Sequence, residues 1–217
     1  MTTLDTEIYQ GQFGEFTINE RDRKEVIIYR SGLMVSALSF TLSSGLVFSY
    51  GITPRISLVT TLLFGIFILG LGVSLATIHI YLKPLHRLLQ VFWLIGTIAS
   101  GALAWQSGDS LAVFVYNHPL TILGIGFVFA ALTGIFFKEA FCFNRLETKI
   151  LTPLIPLLLL GHMFSILPLT AEQILLATWA IFYLVFAIRK VTQPIPPDIG
   201  DKSVFAYLKE QKEAQKT

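Results

Sequence analysis

Six windows of roughly twenty residues dominate this chain, at 31–51, 57–81, 88–106, 119–137, 150–168 and 170–188. The first five contain no Asp, Glu, Lys or Arg, and the sixth has only Glu172, in its first turn. A run of that length spans a hydrocarbon core of about 30 Å as an α-helix. Water cannot satisfy backbone N–H and C=O groups at that depth, so helices that bond internally are the expected solution. Composition agrees: 53% of the 217 residues are hydrophobic, 14% are charged, and mean hydropathy is +0.67. Soluble chains carry about 25% charged residues. The expected fold is therefore an all-α polytopic membrane protein, a bundle of six transmembrane helices. A disordered tail, a disulfide scaffold and a large soluble catalytic domain are excluded.

The basic residues set an orientation. Arg21, Arg23, Lys24 and Arg30 precede the first window, Lys83 and Arg87 follow the second, and Lys138, Arg145 and Lys149 follow the fourth. Six more lie in the tail, and only Arg55 falls on the opposite side. The positive-inside rule then places both termini in the cytoplasm or on the equivalent stromal side. The first thirty residues are polar and acid-rich, unlike a cleavable signal peptide. Three segments follow: 1–30 with a short amphipathic helix capped by Asn19, the six-span domain at 31–188, and a cytoplasmic tail at 189–217. In the tail, Pro194, Pro196 and Pro197 form an extended linker before a short helix, read as a surface helix or a docking element.

Packing between helices in lipid relies on small residues. Gly126, Ala130 and Gly134 recur every four residues on the fourth span, and Gly96 offers a similar face on the third. These faces are expected inside the bundle.

Chemistry-bearing residues are few. His162 lies about twelve residues into the fifth window, ~18 Å from its basic end at 1.5 Å per residue. It is either a neutral imidazole bonded to a neighbouring helix or an axial ligand to a tetrapyrrole. On the basic side, His79, His86, Glu139 and Cys142 are candidates to line a small polar pocket, next to helix-disrupting Pro153 and Pro156. Two histidines, a thiol and a carboxylate suit zinc or iron, but the spacing matches no metal motif and no metal site is assigned. Cys142 is the only cysteine, which excludes an internal disulfide. No buried carboxylate is expected as a proton or sodium site, which counts against an ion-coupled transporter. No nucleophile, metalloprotease or phosphate-loop motif is present, and a net charge of +2 does not call for nucleic acid.

The stretch from Phe136 through Lys138-Glu139-Ala140-Phe141-Cys142-Phe143 to Glu147, leading into a proline-marked span, resembles a family of uncharacterised integral membrane proteins of cyanobacteria and plastid-bearing organisms. The resemblance covers roughly residues 20–190. It implies a cyanobacterial source and a thylakoid or plasma membrane location, and it carries no activity. The expected role is a non-enzymatic accessory or assembly factor for a larger membrane complex, a photosynthetic one among the candidates. Its partners would be lipid and that complex, and no cofactor is required. The alternatives are a small-solute transporter or channel, or a pigment or metal carrier.

Overall fold

The computed structural model describes residues 7–107 and 110–214. A hairpin of two antiparallel strands, β1 (Ile8–Gly11) and β2 (Gly14–Thr17), leads into α1 (Glu20–Tyr50). Then come α2 (Pro54–Thr77), α3 (Lys83–Ser107), α4 (Leu111–Asn117), α5 (Ile122–Phe143), α6 (Leu146–Met163) and α7 (Leu169–Thr192). Two short helices close the described chain, α8 (Pro196–Ile199) and α9 (Ser203–Ala214). All of these helices except α4, α8 and α9 are long and apolar enough to cross a membrane, α5 together with the single 3-10 turn at Pro119–Thr121 that precedes it. The expected all-α, six-span architecture is what the chain forms. Both described ends of the chain lie at the basic end of the bundle.

The helix boundaries follow local chemistry. Asn19 caps α1: its side chain accepts from the Asp22 N–H at 2.9 Å, and the Asp22 carboxylate accepts from the Asn19 N–H at 2.9 Å. This reciprocal cap satisfies two orphan donors. Beyond it α1 continues without a break for 31 residues, roughly 46 Å at 1.5 Å per residue. The helix expected within residues 1–30 is continuous with the first span, and its Val26, Tyr29 and Arg30 are buried. Thr53 caps α2, with Pro54 at its first position, and α2 ends at Thr77, so His79 lies outside the span. In α6 the boundary moves inward. The helix stops at Met163, and the turn through Ser165 (φ 54°) to Pro168 occupies what the sequence suggested was helix.

Each transmembrane helix packs against its sequence neighbour, and α1 packs against α7, closing a ring. The tightest seam is α1–α2. A Cβ added to Gly32 would lie 2.6 Å from the Gly70 carbonyl, and one on Gly70 would lie 2.7 Å from the Gly32 carbonyl. Ser74 Oγ donates to the Tyr29 carbonyl and Ser36 Oγ to the Phe67 carbonyl across this seam. Of the four positions expected to pack, Gly96 and Gly134 do so between α3 and α5, against Val128 and Leu89. Gly126 and Ala130 instead line a groove between α5 and α6. Ser36 and Ser74, each four residues beyond a seam glycine, extend the same small-residue face.

Aromatic rings fill the middle of the ring. Phe40 lies 4.3 Å from Trp179 and 6.0 Å from Phe67, while Phe129 reaches both Phe67 (5.7 Å) and Trp179 (5.2 Å). Towards the basic end, Tyr183, Phe136 and Phe186 continue the stack edge-to-face.

The tail folds back on the bundle. Asp201 accepts from the Gln12 N–H at 2.6 Å and Ser203 Oγ from the Phe13 N–H at 3.1 Å. Lys202 pairs with Asp22 at 2.7 Å, and the Phe13 and Tyr207 rings stack at 4.0 Å. Gly11 makes this approach feasible, since a Cβ there would lie 2.2 Å from an Asp201 oxygen. The prolines do not produce a fully extended linker: Pro196 starts α8.

Candidate functional site

Two polar constellations stand out, one at each end of the bundle. The basic-end cluster begins with chain breaks. Asn144 adopts a left-handed conformation (φ 52°) that ends α5, which fixes Lys138 and Glu139 in its final turns. Pro194 and the Pro196–Pro197 pair cannot continue α7, so the chain doubles back and α8 sets Asp198 over Lys190 and Arg30.

Five charged side chains from α1, α5, α7 and α8 meet there. Lys190, fully buried, donates to Glu139 Oε2 at 2.5 Å and also to Asp198 Oδ1. Glu139, equally buried, accepts in addition from Lys138 Nζ at 2.9 Å and from the Tyr29 hydroxyl at 3.1 Å. Arg30 Nε donates to Asp198 Oδ2 at 2.8 Å, and its other nitrogens reach the carbonyls of Gln193 and Pro194 at 2.7 and 2.8 Å. The Lys190 ammonium lies 4.1 Å from the centroid of Phe143. Three cations face two carboxylates, and the carbonyls and rings supply the remaining negative potential. Beside the cluster, Arg189 pairs with Glu147 at 2.8 Å, and Arg145 donates to Gln193.

The four residues expected to share a pocket here do not converge. Glu139 is taken up by the cluster. His79 Nε2 lies 3.4 Å from Glu25 Oε2, and burial holds its imidazole below the ordinary histidine value while Glu25 opposes that shift. His86 Nε2 lies 2.6 Å from the Leu75 carbonyl. Cys142 is exposed. Among the described residues no group of three or more His, Cys, Asp or Glu side chains is placed to hold a metal ion. Pro153 and Pro156 are accommodated inside a continuous α6, and Pro156 faces the α5–α6 groove.

The cluster also corrects the statement that no carboxylate is buried. Glu139 sits just beyond the uncharged window of the fourth span, yet its side chain has no exposure. Arg30, Lys138, Lys190, Asp198 and Tyr29 carry no local mark of the site for the same reason. Each looks like an ordinary flank of a span, and their sequence separation, as with Arg30 and Asp198, hides the contact.

The far end holds His162 and a cavity of about 630 Å³ between α1, α4, α5, α6 and α7. With α6 ending at Met163, His162 stands in its last turn. Its Nδ1 is 2.7 Å from Glu172 Oε1, its Nε2 is 3.2 Å from the Tyr116 carbonyl, and its ring packs 4.8 Å from that of Tyr116. Both ring nitrogens are thus engaged within the protein, leaving neither for axial ligation in this arrangement. Towards the middle of the bundle the cavity shares Ala112, Val115, Ile125 and Phe129 with a smaller cavity of about 180 Å³, which continues past Thr60, Phe64 and Phe67.

Comparison with known proteins adds the lineage. No solved structure matches the chain. An uncharacterized protein of Haemophilus influenzae is 29% identical over 184 residues, covering 85% of this chain and 91% of that protein. The family model described as an uncharacterized integral membrane protein (DUF2301) matches residues 73–207. The Haemophilus relative takes the resemblance beyond cyanobacteria and plastid-bearing organisms, so a thylakoid location and a photosynthetic setting are not implied by it. With more than half its length matched, a six-span membrane bundle and an uncharged core in each span, this chain belongs to the DUF2301 family of integral membrane proteins.

Proposed function

We propose that the protein is a non-enzymatic accessory or assembly subunit of a larger membrane complex, held in a bacterial inner membrane with both termini cytoplasmic. The observation that carries this reading is the aromatic layer across the centre of the bundle. Phe40, Phe67, Phe129 and Trp179 occupy the middle of the ring in mutual contact. A transporter or channel for a small solute needs a polar path through that layer, and the cavities that meet at Phe129 are lined mainly by apolar side chains. The charged groups of the basic end pair with one another rather than line an opening, which suits a static scaffold. The concentration of basic residues at the end bearing both termini supports the orientation.

The test is the native size of a tagged full-length protein extracted in mild detergent from its own membranes. Migration in an assembly much larger than the 24.2 kDa chain is the expected result, with deletion of residues 202–217 weakening association but not insertion. A lone monomer or small homo-oligomer would overturn the accessory reading.

A further inference from the structure

The far-end cavity has two kinds of lining. Its walls are apolar, from Ile125, Phe129, Leu158 and Leu176, but its mouth carries Tyr116, Glu172 and Gln173 beside His162. His162 occupies Glu172 Oε1. The second oxygen of Glu172, the Gln173 amide and the Tyr116 hydroxyl have no hydrogen-bond partner among the described residues. A space of about 630 Å³ lies within the 300–1,000 Å³ typical of small-molecule sites. It also reaches the bilayer side. Ile122, Gly126 and Leu159 line both this cavity and the groove between α5 and α6. At Gly126 the wall has no side chain, and an added Cβ would meet only Ile122, at an ordinary 3.4 Å.

We propose that this cavity binds a neutral, hydroxyl-bearing apolar molecule, of the long-chain alcohol class, drawn laterally from the bilayer through the α5–α6 seam. The apolar walls receive the chain, and the hydroxyl donates to the open oxygen of Glu172 while accepting from Gln173 or Tyr116. An acidic side chain at the mouth disfavours a carboxylate head of the same length. The site is independent of the accessory role, because it concerns the opposite end of the bundle from the ion cluster and the tail.

The experiment is equilibrium binding of radiolabelled 1-dodecanol and dodecanoate to the full-length protein in lipid nanodiscs, with empty nanodiscs subtracted. The expected result is saturable binding of one dodecanol per chain, with dodecanoate at least tenfold weaker. Gly126→Leu fills the seam from α5 and Ala112→Phe fills the cavity from α4. Each should weaken dodecanol binding at least tenfold while melting temperature and helical circular dichroism stay unchanged. Glu172→Gln should shrink the preference for alcohol over carboxylate to less than threefold. Absence of saturable dodecanol binding, equal binding of dodecanoate, or full binding in both filled variants would overturn the proposal. Should one variant fail to fold, the other, on a different helix, decides.

Discussion

At the scale of single residues, the decisive feature is that five charges share one buried site. Isolated charges in such a place are expensive, and removing one partner of a buried pair costs about 3–5 kcal/mol because the other charge is left uncompensated. Asp198 answers both Arg30 and Lys190. Asp198→Ala is therefore expected to destabilise the bundle by about 3–5 kcal/mol, seen as a large fall in the melting temperature of the detergent-solubilised protein. A wild-type melting temperature would show that the cluster contributes nothing to the fold. His79, outside the spans, gives a pH signature. Burial keeps its folded-state pKa below the ordinary value of 6.5, so the unfolded chain takes up the proton first as pH falls. Stability is then undiminished above about pH 6.5 and declines on acidification until the folded-state pKa is passed. Comparing melting at about pH 7.5 and about pH 5.5 should show a smaller acid-induced drop in His79→Gln than in the wild type. Equal drops would remove His79 from the account.

At the scale of helices, close approach is confined to a few points. Gly32 and Gly70 meet backbone to backbone, and Ser36 and Ser74 bond across the same seam. Gly70→Ala forces a Cβ to within 2.7 Å of a carbonyl oxygen. An expected loss of about 1–3 kcal/mol follows from overpacking. Gly65→Ala, on the same helix with nothing within 4 Å of the new Cβ, should be neutral or gain up to about 1 kcal/mol from helix propensity. Thermal melts of the two variants side by side separate seam packing from propensity, and equal effects would refute the seam. The same scale explains α7. Its last turn carries Arg189 and Lys190, where cations complement the helix dipole, and the prolines that end it also aim Asp198 back at Lys190.

At the scale of the whole molecule, the ring of six helices leaves one end closed by ions, hairpin and tail, and the other hollow. Orientation is testable with the single thiol. Cys142 is exposed at the basic end, so a membrane-impermeant maleimide should label it in inverted vesicles and not in intact cells. Labelling of intact cells would place the termini outside and reverse the proposed topology.

The number of spans and the end at which basic residues gather were legible in the residues because both depend on transfer of local segments between water and lipid. Twenty apolar residues in a row have one low-energy fate regardless of what lies elsewhere. The end of α6, the hairpin at Ile8–Thr17 and the short helix α4 were not, since their local patterns are weak. The candidate site was the least legible part. Glu139 was singled out for a pocket with His79, His86 and Cys142, but its partners are Tyr29, Lys138 and Lys190. Which flanking charges are buried together depends on the angle at which α7 ends and the turn that returns α8, a matter of packing between residues as far apart as 51 and 168 positions. Burial of charge is decided by what covers a residue, and only the tertiary structure supplies the cover.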